Sequence, residues 1–220
     1  MPPIELGQDF FCLLFLSASA LFSQPFSAGI KAGLPLTDFV NAVNSQNFKT
    51  SATTNRYIVG VTGELRLPFG LGFEIDALYR HFGYGSTSII SGITTTSVIT
   101  DTSSGAWEFP ILAKYRFKGT IAHPYVCAGV AWDKLSGVSQ TVTRIVADVA
   151  NKTTSSNPFE LRNDTTRGFV LGAGIDVKAL VIHIAPELRF TRWGSQHFID
   201  PNGLFNSKQT QAEFLVGITF

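Results

Sequence analysis

Trp107-Glu108-Phe109-Pro110-Ile111-Leu112-Ala113-Lys114-Tyr115-Arg116-Phe117 is the stretch on which the reading of the fold turns. Taken in alternate steps, Trp107, Phe109, Ile111, Ala113 and Tyr115 fall on one side, and Glu108, Lys114 and Arg116 on the other. Successive side chains of a strand point to opposite faces, so this period writes a strand with one apolar and one charged face. The pattern recurs along the chain. Tyr57, Val59, Val61, Leu65 and Leu67 oppose Thr62, Glu64 and Arg66, while Phe73, Ile75, Ala77 and Tyr79 oppose Glu74, Asp76 and Arg80. Ile182, Ile184, Pro186, Leu188 and Phe190 oppose His183, Glu187, Arg189 and Thr191. At the end Ala212, Phe214, Val216, Ile218 and Phe220 oppose Gln211, Glu213, Leu215, Gly217 and Thr219. Eight such segments are expected, over 27–36, 57–67, 72–83, 107–117, 124–134, 168–178, 181–193 and 209–220.

The breaks between segments alternate in length. Those at 68–71, 118–123 and 178–180 are short, whereas 37–56, 84–106, 135–167 and 194–208 are long and rich in Ser, Thr, Asn and Gly. A soluble sandwich has no reason to place every long connection at one end. A transmembrane barrel has short periplasmic turns and long external loops. Eleven residues rising ~3.3 Å each at ~45° tilt reach about 26 Å, the height of an outer-membrane apolar band. Aromatic residues gather at the segment ends: Tyr57, Tyr79, Trp107, Trp132, Phe169 and Trp193 beside the long loops, and Phe73, Tyr115, Phe117, Tyr125 and Phe220 beside the short turns. Two girdles at headgroup level are expected from them. The fold class is therefore all-β, an eight-stranded antiparallel up-and-down transmembrane β-barrel.

The polar face carries Glu64, Glu74, Asp76, Glu108, Asp176, Glu187 and Glu213 against Lys31, Arg66, Arg80, Lys114, Arg116, Lys178 and Arg189. Buried charges persist only when paired and hydrogen-bonded, so this balanced set is expected to form a charge network in the lumen. The whole chain of 220 residues is balanced too, with a net charge of +1, which removes the electrostatic case for a nucleic-acid binder. No apolar run approaches the ~20 residues of a spanning helix.

The N-terminus is a separate object. Phe10 to Phe22 is an apolar run followed by cleavage options at Ala18-Ser19-Ala20 and at Ser23, which reads as a signal peptide over 1–23, cut near 20–24, with the barrel domain over 24–220. Its start carries Glu5 and Asp9 and no Lys or Arg, a departure from the usual basic n-region. After cleavage Cys127 is the single remaining thiol, so no internal disulfide is expected.

Several pieces together resemble a known family: Ala28-Gly29-Ile30-Lys31-Ala32-Gly33, the 107–117 strand, Gly172-Ala173-Gly174-Ile175-Asp176-Val177, Ala185-Pro186-Glu187-Leu188-Arg189-Phe190, and the terminal Phe220. The chain resembles the small eight-stranded bacterial outer-membrane barrels of the OmpA/OmpX type, often described as outer-membrane β-barrel domain or porin-family proteins, over residues 26–220. The resemblance implies the bacterial outer membrane as location and the barrel-assembly machinery and outer-membrane lipid as partners. It also implies that Phe214, Val216, Ile218 and Phe220 form the C-terminal assembly signal.

Chemistry-bearing patterns are sparse. His81, His123, His183 and His197 with one thiol give no metal-ligand spacing, and no phosphate-binding or nucleophile-elbow motif occurs. His183 and Glu187 lie about 13 Å apart along a strand and form no dyad there. No cofactor, metal or catalytic residue is expected. Eight strands leave an interior that side chains just fill, so an open pore is not expected either. The reading is a non-enzymatic outer-membrane protein with a structural or surface-interaction role, a charge-plugged lumen, and an external ligand or surface partner at the long loops. The alternatives are a secreted lipocalin-like ligand-binding barrel, a lipid-modifying outer-membrane enzyme and a small-solute porin.

Overall fold

The structure, a computed structural model, describes residues 25–42, 48–90, 95–147, 149–179, 181–199 and 205–220. The expected signal peptide over 1–23 lies outside the described residues. The strands are β1 (Phe26–Pro35), β2 (Val40–Ala42), β3 (Phe48–Arg66), β4 (Leu71–Ile90), β5 (Thr96–Arg116), β6 (Ala122–Val146), β7 (Val149–Ser155), β8 (Thr165–Ala179), β9 (Ile182–Trp193), β10 (Phe205–Ser207) and β11 (Thr210–Thr219). Eight of them close a ring in the order β1-β3-β4-β5-β6-β8-β9-β11, each antiparallel to its neighbours, with β11 returning to β1. Closure removes every sheet edge from the apolar band, as a lipid solvent demands. Each of the eight expected segments falls on one ring strand, and β3, β4, β5 and β6 run well beyond the expected bounds.

Exposure is inverted relative to a soluble barrel. Val61 and Leu171 are each 59% exposed on the outer wall, whereas Glu187 and Asp76 are each 1% exposed inside. An apolar outer wall around a polar interior rules out the lipocalin-like arrangement, whose apolar face would line the cavity. Tyr57, Tyr79, Trp107, Trp132 and Phe169 line the outer wall at the long-connection end, and the rings of Tyr79 and Trp107 lie 5.2 Å apart there. Two expected girdle members are corrected: Tyr125 and Trp193 share the inward parity of their strands and are buried in the lumen.

The long connections differ from the expectation of polar loops. β4 runs on to Ile90, β5 begins at Thr96, β3 begins at Phe48, and β6 continues to Val146 before folding back as β7. Beyond the barrel these extensions pair as one antiparallel sheet of five strands, β3-β4-β5-β6-β7. Gln140–Val146 is the part of β6 that pairs with β7. Register breaks mark the passage from barrel to sheet, between Thr54 and Ile58 on β3 and between Ser103 and Gly105 on β5. Opposite the second, Gly137 takes φ +63°, the left-handed conformation of a bulge residue. Bulges raise local twist and bend the strand, which lets a tubular wall open into a sheet.

Candidate functional site: a charged lumen beneath an aromatic cap

Inward side chains of all eight ring strands meet inside the barrel, and the ion pairs fall into three layers. At the short-turn mouth, Arg116 on β5 bonds Glu64 on β3 and reaches Asp176 on β8, Nε to Oδ2 at 3.0 Å. Arg66 adds Nε to Glu64 Oε1 at 3.3 Å. His183 on β9 lies 2.8 Å from Asp176 through Nδ1 and 3.1 Å from Arg66 Nη1 through Nε2. A carboxylate only accepts and a guanidinium only donates, so the proton belongs on Nδ1 and Nε2 accepts.

The middle layer ties five strands together. Lys31 Nζ on β1 lies 2.5 Å from Glu74 Oε1, 3.1 Å from Asp76 Oδ2 and 3.7 Å from Glu187 Oε2. Arg189 holds Glu187 Oε1 at 2.7 Å through Nε, and Asp76 at 2.9 Å and Glu74 at 3.2 Å through Nη2. Lys114 bonds Glu74, lies 3.4 Å from Glu64 and sits 4.3 Å over the ring of Tyr125. The Tyr125 hydroxyl on β6 donates to Glu187 Oε2 at 2.9 Å. Each cation here meets two or three carboxylates, the condition under which buried charge is tolerated.

The upper layer centres on Arg80. It bonds Asp133, approaches Glu213 at 3.1 Å and Glu108 at 3.6 Å, and donates to Gln211 Oε1 at 2.6 Å. His197 reaches the same Asp133, Nε2 to Oδ2 at 3.2 Å, and its Nδ1 lies 2.7 Å from the Asn163 carbonyl. A carbonyl oxygen only accepts, so the bond to Asn163 is donated by Nδ1. Above it lies an apolar cap. Residues 37–42 and 195–199 fold inward, each held to β10 (β2 along Val40–Ala42, the second segment by the Ile199–Asn206 bridge), and bring Phe39 and Phe198 against Phe82, Tyr84, Ala106 and Leu135. Phe39 stacks on Phe82 with ring centroids 3.8 Å apart, and Arg80 lies 5.8 Å from the Phe39 ring.

Of the fourteen charges expected in the lumen, the structure brings thirteen into ion pairs: Lys31, Glu64, Arg66, Glu74, Asp76, Arg80, Glu108, Lys114, Arg116, Asp176, Glu187, Arg189 and Glu213. Lys178 is the correction. It shares the inward parity of β8 but sits exposed at the strand's end, lining the short-turn mouth with Ser27, Arg66 and His183. Asp133 and His197 belong to the network and are absent from the sequence expectation. Asp133 was within reach of the same parity argument, since Tyr125, Cys127, Ala131 and Asp133 share the inward face of β6. His197 had no such signal, because it stands outside any ring strand.

What the arrangement can do chemically is limited. Both His183 nitrogens are engaged, and Ser27 Oγ in the same mouth has no hydrogen-bond partner among the described residues. Ser27 is therefore not hydrogen-bonded to that histidine. Among the described residues no group of three or more His, Cys, Asp or Glu side chains is placed to hold a metal ion. Cys127 is buried beside Tyr125 and Val170 and packs as a small residue.

A protein-family model described as outer membrane protein beta-barrel domain matches residues 22–194. Among solved structures, the outer membrane protein OprG from Pseudomonas aeruginosa is similar at 12% identity, with 88% of this chain and 92% of that chain covered and a TM-score of 0.51. The attachment invasion locus protein Ail of Yersinia pestis aligns at 8% identity over 88% of this chain and 98% of that one, with a TM-score of 0.38. No curated protein matches the chain. At such identities the likeness to OprG bears on the fold alone.

Proposed function

The chain belongs to the outer membrane protein β-barrel domain family and resides in the bacterial outer membrane, and from that premise we propose that it is a non-enzymatic, non-conducting barrel with a structural and surface-contact role. The observation that carries the reading is the middle charge layer, where Lys31, Glu74, Asp76, Lys114, Glu187 and Arg189 bridge across the interior from four strands. A solute crossing the lumen would have to separate these pairs in a low-dielectric interior, at a cost of several kcal/mol per stranded ion. Eight strands leave no spare radius around them. The five-stranded sheet outside the membrane supplies the surface for an external partner, since rigid scaffolds present function on their projecting segments. Lipid around the outer wall and the assembly machinery acting on the Phe214, Val216, Ile218 and Phe220 face are the remaining partners, with no cofactor and no nucleic acid.

The test records planar-bilayer conductance of the purified protein and assays lipid-A modification on the same preparation. Silence in both is expected. Steady, large conductance overturns the plugged lumen, and lipid turnover abolished by His183→Ala overturns the non-enzymatic reading.

A further inference from the structure

The lumenal charges other than Lys178 are paired, whereas a row of outward cations is not. Lys134 on β6, Arg167 on β8 and Arg192 on β9 are exposed and share the outward parity of their strands. They stand in one row at the long-connection end, directly opposite aromatic residues of the neighbouring strand: Lys134 faces Trp107, Arg167 faces Trp132 and Arg192 faces Phe169. Residues directly opposite on one face of an antiparallel pair have Cβ atoms ~5 Å apart, so each cation stands beside a girdle ring at headgroup level. Among the described residues none of the three forms an ion pair; Arg192 only donates to Thr210 Oγ1 at 2.5 Å. Arg167 and Arg192 themselves line a groove of about 600 Å³ in the outer wall, together with Val130, Trp132, Phe169 and Gln209.

We propose that this wall binds a phosphorylated lipid of the outer leaflet, with its phosphate held by Arg167 and Arg192, assisted by Lys134, and its apolar chain lying in the groove against Val130, Trp132 and Phe169. Charge complementarity commits the site to an anion, because guanidinium groups at the edge of hydrocarbon are unfavourable unless matched. Two forked donors side by side suit the several oxygens of a phosphate. The end of the barrel decides the leaflet, because long connections face outside. The inference rests on the membrane location and not on the plugged lumen, so conductance and lipid binding fail independently.

The test measures lipid retained per protein by native mass spectrometry from mixed micelles containing bis-phosphorylated lipid A, the same lipid with both phosphates removed, or detergent with inorganic pyrophosphate. The wild-type protein is expected to retain the phosphorylated lipid. At about 1 kcal/mol per basic residue near a charged surface, the K134Q/R167Q/R192Q variant is expected to lose at least roughly tenfold in apparent affinity. K118Q, a neutralised cation at the opposite end of the barrel, is expected to bind as wild type. Heat-modifiable gel mobility checks that each variant is folded; if the triple variant fails to fold, R167Q and R192Q are read singly, each with a several-fold loss. Equal retention of the two lipids, undiminished retention by the folded variants, or equal loss with K118Q overturns the proposal. Pyrophosphate displacing the lipid completely would also overturn it, by showing a site for free phosphate rather than for a lipid.

Discussion

Arg80 carries more of the lumen than any other side chain of the upper layer. Glu108, Asp133 and Glu213 converge on its one guanidinium, and His197 Nε2 lies 3.2 Å from Asp133. Acid exceeds base at this level, so the effects of substitution are asymmetric. Arg80→Met leaves three buried carboxylates without their cation and is expected to lower unfolding stability in detergent micelles by about 3–5 kcal/mol. Glu108→Gln removes one member of the excess and is expected to cost less than about 1 kcal/mol. Urea unfolding followed by tryptophan fluorescence ranks the two; a Glu108→Gln cost equal to or above that of Arg80→Met would sink this account of the layer. Most of these residues were legible from strand parity, because a charge opposite an apolar face has one place to go. Lys178 was placed one step too deep, since parity reports the face and not how far along the strand the lumen ends.

At the scale of the element, β11 closes the ring against β1 from Gly29–Thr219 to Pro35–Glu213. Phe220 follows the strand and is 68% exposed, and its amide donates to the Ala28 carbonyl at 3.0 Å. Deleting it removes one seam hydrogen bond, worth about 1 kcal/mol, so refolding into micelles is expected to change little. Assembly in the living outer membrane is expected to fall sharply, because the apolar face ending at Phe220 is the recognition element proposed for the assembly machinery. Counting folded, heat-modifiable protein in membrane fractions checks this, and equal losses in both settings would make Phe220 a structural strut and not a signal. The extensions of β4 and β5 beyond the membrane were illegible as strands for a physical reason. Both faces of that outer sheet meet water over much of their area, so runs such as Tyr84-Gly85-Ser86-Thr87-Ser88 carry no apolar–polar alternation to read.

For the whole molecule, barrel and outer sheet are separable in energy. The ring is closed by its own ladder and by the charge layers, while β7 is wholly exposed and touches the rest through the upper part of β6. Replacing 141–154 by a short turn is therefore expected to leave heat-modifiable mobility intact and the melting temperature within a few degrees of wild type. Surface adhesion of bacteria displaying the protein is expected to fall. If the shortened chain no longer folds, the sheet is part of the barrel's stability and not a presented surface.

Strand number, strand order and the inside–outside sense of each ring strand were determined by the sequence alone, because alternation and turn length are local properties that survive in any register. Three things were decided only by the tertiary structure. The pairing of particular acids with particular bases, such as Arg80 with Glu213 or Lys31 with Asp76, depends on the stagger of strands far apart in the chain, which no local pattern encodes. The capping of the mouth by Phe39 and Phe198 depends on two connections meeting across the barrel. The row of Lys134, Arg167 and Arg192 exists only because three strands bring their outward cations to one height, where a closed ring turns separate positions into a single surface.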